Sequence, residues 1–136
     1  MMVDRYRSRL SGPILDRVDL FLQVPRVKVG ELGEEKRGKT SAEMKHIVMR
    51  AKAQQKERFA SKKILSNAEM SNIDIEKLAN IEENALKIAI TSTEKLQLST
   101  RVYYRILRVA RTIADIEDSK TVSTKHILEA LSYRGN

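Results

Sequence analysis

The side chains in this sequence that could do chemistry are mostly cations, and their spacing says more than their number. Arg17 stands between Asp16 and Asp19. Taken alone, an arginine so flanked reads as an intramolecular ion pair. Arg101, Arg105 and Arg108 recur at helical spacing, so they share one face of a helix that turns Val102, Tyr103, Ile106, Leu107, Val109, Ala110, Ile113 and Ala114 to the core. Spacing alone makes that arginine face a solvated one. Lys45, Lys52, Lys56 and Lys63 fall within about 20° of one line on a helix. Such a row either meets a polyanion or is a solvated face whose stems cover apolar surface beside it.

A phosphate loop is spelled out, and the reading here is that it is not one. Gly33-Glu34-Glu35-Lys36-Arg37-Gly38-Lys39-Thr40 matches G-x-x-x-x-G-K-[ST] letter for letter. A phosphate cradle converges backbone N–H groups on an anion, and two glutamates inside it oppose that charge. No apolar strand ending in an acidic residue follows to hold magnesium. His46 and His126 lack ligand-spaced partners, so no metal site is expected. Paired carboxylates, a Ser-His-Asp arrangement and zinc spacing are absent too.

The elements that must position these residues are helices. Thr40 and Glu43 form a capping box for a helix running about six turns to Lys62, with Met44, Ile47, Val48, Ala51, Gln55 and Phe59 on its apolar face. Asp74 is read as the N-cap of a short helix carrying Ile75, Leu78 and Ala79. A further helix spans Glu82 to Leu96, and Asn80 to Asn84 leaves open whether the two are continuous. Ser99 caps the helix that bears the arginines. Ser123 caps a last one, with Gly135 as its C′ residue. Before all of these, Gly12-Pro13 is read as a turn and Leu20 to Val24 as a buried strand. No matching strands follow. A strand needs neighbours, so the chain reads as the end of something longer.

Composition narrows the function classes. The chain has 136 residues, enough for one real core, and no cysteine, which excludes a disulfide framework and thiol catalysis. No apolar run reaches membrane-spanning length and no signal-peptide h-region is present, so a soluble cytoplasmic protein without a membrane partner is expected. The net charge of +8 lies wholly in the first half: residues 1–63 carry 16 Lys and Arg against 8 Asp and Glu, and residues 64–136 carry 10 against 10. That asymmetry favours an anionic partner.

The order Tyr6-Arg7-Ser8-Arg9-Leu10-Ser11-Gly12-Pro13-Ile14-Leu15-Asp16-Arg17-Val18-Asp19 resembles a segment of the magnesium-chelatase-like AAA+ ATPases of the ComM/YifB type, and more loosely the related replicative helicases. Ala51-Lys52, Gln55, Arg58-Phe59 and Asn67-Ala68 resemble landmarks of the same family. The run from Leu98 to Asp115 resembles its lid segment almost residue for residue. The resemblance implies that Arg17 is the arginine finger, which reaches the nucleotide of a neighbouring subunit, and that Arg101 is the sensor-2 residue contacting phosphates, in cis or in trans. A permanently charged planar guanidinium suits both tasks.

The fold class expected is therefore all-α, a helical bundle like an AAA+ lid, preceded by a short extended remnant of the ATPase core. Residues 1–40 would be the end of that core and residues 41–136 the lid. By resemblance, ATP and Mg would be used in the parent ring, a homo-oligomer expected to be a hexamer, with the remaining N-terminal ATPase core as partner. The isolated chain would bind neither and would not hydrolyse ATP. Competence-type relatives are DNA-remodelling motors and true chelatase subunits insert magnesium into a porphyrin; the basic first half favours DNA, with Lys45, Lys52, Lys56 and Lys63 as its contacts. Two alternatives stand: a free-standing basic helical module that binds nucleic acid, and a nucleotide-binding enzyme that uses Lys39.

Overall fold

Thr40 caps the helix that follows it as the sequence requires. Its hydroxyl accepts the Glu43 N–H at 3.3 Å, and the Glu43 carboxylate accepts the Thr40 N–H at 2.6 Å, closing the capping box. Those bonds hold the Glu43 carboxyl below its ordinary pKa. The computed structural model describes residues 17–26 and 38–134. Within them the chain forms α1 (Ser41–Arg58), a 3₁₀ turn (Asn67–Glu69), α2 (Asn72–Leu78), α3 (Glu83–Lys95), α4 (Thr100–Ile116) and α5 (Thr124–Ser132). The architecture is an all-α bundle.

α4 is the central element, in contact with α1, α2, α3, α5 and the 3₁₀ turn. Its buried face carries Val102, Ile106, Leu107, Ala110, Ile113 and Ala114, and five small residues of its neighbours (Ala51, Ala79, Ala85, Ala89, Ala130) are buried too. Small side chains let helix axes approach closely, and Phe59, Met70, Ile75 and Ile127 fill the remaining volume. Between α2 and α3 the chain breaks at Asn80, which adopts φ 48, a left-handed conformation that asparagine tolerates. Ile81 then pairs with Val122 in an isolated parallel bridge, so two loops are stitched together by Val122 N–H to Asn80 O (2.9 Å) and Glu82 N–H to Val122 O (3.0 Å).

Four sequence expectations need correction. Leu20 to Val24 has no regular secondary structure and is not a buried strand; Leu20, Leu22 and Val24 are exposed, because the described residues offer no strand to pair with them. α1 ends at Arg58, four residues short of Lys62, and Lys63 therefore lies beyond the helix. Met44 and Val48 are exposed, since α1 lies on the bundle only through its C-terminal half, at Ala51, Gln55 and then Phe59. The N-cap of α2 is Ser71, whose hydroxyl accepts the Asp74 N–H at 3.2 Å while Asp74 caps in return. The Gly12-Pro13 turn, Asp16, the Gly33–Arg37 part of the phosphate-loop pattern and Gly135 lie outside the described residues.

A buried polar network fixes the other elements to α4. Arg111 and Asp115 are wholly buried one turn apart, with Arg111 Nη2 2.9 Å from Asp115 Oδ1. Arg111 also donates to the carbonyls of Ala79 (3.1 Å), Lys120 (3.1 Å) and Ser119 (2.6 Å). Asp115 further accepts from both terminal nitrogens of Arg58 and from Asn67 Nδ2 at 2.8 Å. Gln55 accepts the Asn67 N–H at 3.1 Å. Among the described residues no buried side-chain polar atom lacks a partner, the condition under which a buried charge cluster is tolerable.

Candidate functional site: an arginine-lined cleft

Ser99 caps α4, accepting the Val102 N–H at 3.3 Å, and Arg101 follows in the first turn, where no acidic residue offsets the positive end of the helix. From there the i, i+4, i+7 spacing carries Arg105 and Arg108 down the same side. That side forms one wall of a cleft of about 1000 Å³, and the segment from Arg17 to Leu22 forms another. Arg17, Arg101, Arg105 and Arg108 all line it, with Asp19 and Tyr104. The tertiary structure thus brings together the two arginines singled out in the sequence, which stand more than eighty residues apart.

The four guanidiniums are not equivalent. Arg17 and Arg101 are exposed. Arg105 is buried and donates through Nη1 to the carbonyl of Val18. Arg108 is half-buried and donates through Nε to the Met70 carbonyl at 2.9 Å. Burial lowers the pKa of Arg108; Asp19 opposes that shift and Arg101 adds to it, so these three charges feel one another across the cleft. An arginine stays protonated at neutral pH under any such shift. The expectation that Arg101, Arg105 and Arg108 share one solvated face is therefore corrected: they share a face, but Arg105 is turned inward by a backbone carbonyl. Tyr104, which lines the cleft, meets Tyr103 edge to face at 5.1 Å.

Chemically, two exposed guanidiniums lining one cleft, that of Arg101 in the first turn of a helix, can receive a multiply charged anion, while Arg105 and Arg108 each donate to a backbone carbonyl. Asp19 brings one negative charge into the cleft.

Lys45, Lys52, Lys56 and Lys63 are exposed and none lines the cleft. The first three share a face of α1; Lys63 is off the helix. Lys39 is exposed as well, and the Thr40 hydroxyl beside it lies 2.8 Å from the Glu43 carboxylate. In a working phosphate loop that hydroxyl would face magnesium. His126 is buried; its Nδ1 accepts the Ser123 N–H at 2.9 Å and its Nε2 lies 3.0 Å from Glu117. Hydrogen bonds from Lys125 and His126 hold the Glu117 carboxyl below its ordinary pKa. Among the described residues no three acidic or histidine side chains are grouped to hold a metal.

Sequence reasoning missed the buried Arg58–Asn67–Arg111–Asp115 network. One signal was present, an arginine and an aspartate four apart on the helix with the most apolar face. The ties of Arg105 to Val18 and Arg108 to Met70 had no sequence signal, because a backbone carbonyl can be presented by any residue.

The family model for the C-terminal part of magnesium chelatase subunit ChlI matches residues 38–134, and the model for magnesium chelatase subunit ChlI itself matches residues 1–32. Competence protein ComM of Haemophilus influenzae is 40% identical over 131 residues, covering 96% of this chain and 25% of that protein. The uncharacterized protein YifB of Escherichia coli is 41% identical over 132 residues, with the same two coverages. A Mycobacterium tuberculosis protein, Rv2897c, is 30% identical over 130 residues, 96% of this chain and 26% of its own. This chain spans about a quarter of the length of each of these relatives.

Proposed function

Since the chain belongs to the magnesium-chelatase ChlI C-terminal family, we propose that it serves as the lid and arginine-finger portion of an AAA+ ATPase that assembles into a ring, a hexamer by resemblance. Residues 41–136 act as the lid and residues 1–40 as the end of the ATPase core. Arg17 is the arginine finger and Arg101 the sensor-2 residue. The observation that carries this reading is that both are exposed in the same cleft. That both line one cleft supports their serving one nucleotide, the ATP of the neighbouring subunit.

Catalysis of phosphoryl transfer is chiefly positioning and charge stabilisation, and a well-placed arginine finger is worth roughly 10³ to 10⁵ in kcat. Arg17 and Arg101 would contact the oxygens on which charge accumulates as water attacks the γ-phosphorus. The N-terminus of α4 adds its own partial charge. Magnesium, which neutralises phosphate charge in such reactions, would be held with the ATP by the ATPase core. The exposed Leu20, Leu22 and Val24 fit a segment that completes its pairing on that core.

DNA is the substrate proposed for the motor, supported by the basic first half of the chain and the exposed lysines of α1. The exposure of that row, away from the cleft, also supports the second reading, a nucleic-acid-binding module that needs no ATP.

Titration calorimetry of the chain with Mg-ATP tests the first reading directly. No heat of binding is expected, because the proposed arginines serve a nucleotide held by another subunit. Micromolar binding abolished by Lys39→Ala would replace this reading with an autonomous phosphate loop. In the longer ATPase to which this reading assigns the chain, Arg17→Ala and Arg101→Ala should each lower kcat by about 10³-fold.

A further inference from the structure

The segment that carries Arg17 has little holding it. Exposure rises along its aliphatic side chains, Val18 37%, Leu20 47%, Leu22 70% and Val24 89%, while Phe21 among them is half-buried. Aliphatic burial therefore contributes little to its placement, and backbone bonds tie it at two points, the first at Val18. There the Arg105 side chain, itself only 8% exposed, donates to the Val18 carbonyl. Further along, the Phe21 N–H donates to the Tyr133 carbonyl at 2.8 Å, at the end of α5. A guanidinium donor is charged, and charge-assisted hydrogen bonds are the stronger kind. Val18 directly follows Arg17. Arg105 follows Arg101 by one turn of α4.

We infer that Arg105 is the positioning residue of Arg17: by holding the Val18 carbonyl it sets the Arg17 guanidinium in fixed register with Arg101, so one turn of α4 aims both cations. This rests on the function proposed above and deepens it. Arg105 is not among the residues of the hydrophobic core, nor of the Arg58–Asn67–Arg111–Asp115 network. Its removal takes away the hold on Val18 and leaves the Phe21 N–H to Tyr133 carbonyl bond in place. Displacement of a catalytic group by about 1 Å costs on the order of 10²-fold in rate, which is the loss expected from an Arg17 that is present but no longer aimed.

The chain has no cysteine, so two introduced ones can carry unique nitroxide labels. With labels at Leu22→Cys on the segment and Lys87→Cys on α3, pulsed electron paramagnetic resonance should give one narrow distance. Arg105→Met, which keeps the apolar stem and removes every donor, should broaden it, and Arg105→Lys, which restores a charged donor, should narrow it again. A distance that stays narrow in Arg105→Met, with helical circular dichroism intact, overturns the inference. If Arg105→Met loses its helical signal, the residue belongs to the bundle's stability and the inference also falls.

The second readout is kinetic, in the longer ATPase. Arg105→Met should lower kcat by about 10²-fold with KM little changed, and Arg17→Ala with Arg105→Met should be no slower than Arg17→Ala alone. Losses that multiply would show Arg105 acting other than through Arg17. The two readings fail separately: wild-type hydrolysis in Arg17→Ala removes the arginine-finger function, whereas a broadened label distance in Arg105→Met would still establish the tether.

Discussion

Removing Asp115 should destabilise the bundle more than any surface change, and the amount can be worked from its partners. Its carboxylate has no exposure and receives Arg58 through two nitrogens, Arg111 through Nε (3.1 Å) and Nη2 (2.9 Å), and Asn67 at 2.8 Å. In Asp115→Ala two guanidiniums face each other with no anion between them. Breaking a buried pair by deleting one partner costs about 3–5 kcal/mol. Arg58, with its side chain 15% exposed, can turn partly to water and relieve some of that; Arg111, at 1%, cannot. Asp115→Asn keeps one acceptor oxygen but turns an N–H2 toward donors, so it should fall between wild type and Asp115→Ala. Against a total stability of about 5–15 kcal/mol, such a loss takes a large share. At roughly 4–8 °C per kcal/mol for a body of this size, the melting temperature should drop by at least about 12 °C. Urea unfolding followed by circular dichroism reads the free energy directly, without the ionic screening guanidinium would add. A loss under about 1 kcal/mol in Asp115→Ala, with helicity kept, would refute the claim that this carboxylate ties α1 and the 3₁₀ turn to α4.

Two further predictions concern charge away from the cleft. The Asp74 carboxyl is held at about 2 against an ordinary 3.8, chiefly by Lys62 and then by Ser71. Its folded pKa is depressed, so its contribution is complete above the unfolded value and is lost as pH falls from about 4 to 2. Thermal melts of wild type and Asp74→Asn should differ by a constant amount above pH 5 and converge toward pH 2; a difference that persists at pH 2 would assign the effect to capping geometry rather than charge. For the lysine row, Lys45, Lys52 and Lys56 changed together to Gln should reduce the slope of log affinity for duplex DNA against log salt by up to about 2.7, at ~0.9 for each phosphate no longer neutralised. An unchanged slope would mark the row as a solvated face.

What could be read from the sequence was local in origin. Thr40 with Glu43 and Ser99 before the arginine helix act through bonds that span three residues, and a pattern of residue types is enough to specify them. The all-α bundle and the apolar face of α4 were legible for the same reason, since a 3.6-residue period is written along the chain. Asp74 shows the limit: Ser71 and Asp74 are both cap residues, and only the reciprocal bond decides which one is the N-cap. Leu20 to Val24 carries the composition of a strand, yet a strand is a relation between segments, and the described residues supply no second one.

The sequence by itself therefore determined where α1, α4 and α5 start, which face of α4 is apolar, and that Arg101, Arg105 and Arg108 stand on one side of that helix. Only the tertiary structure decided what each arginine does. Arg105 and Arg111 are inward because carbonyls of Val18, Ala79, Ser119 and Lys120 arrive to receive them. Arg17 and Arg101 line one cleft because the segment from Arg17 to Leu22 is tied to α4 at Val18 and to the end of α5 at Phe21. A guanidinium has the same five donors wherever it stands. Whether those donors are satisfied inside or left for an anion depends on backbone atoms from distant parts of the chain, which no local pattern of side chains records.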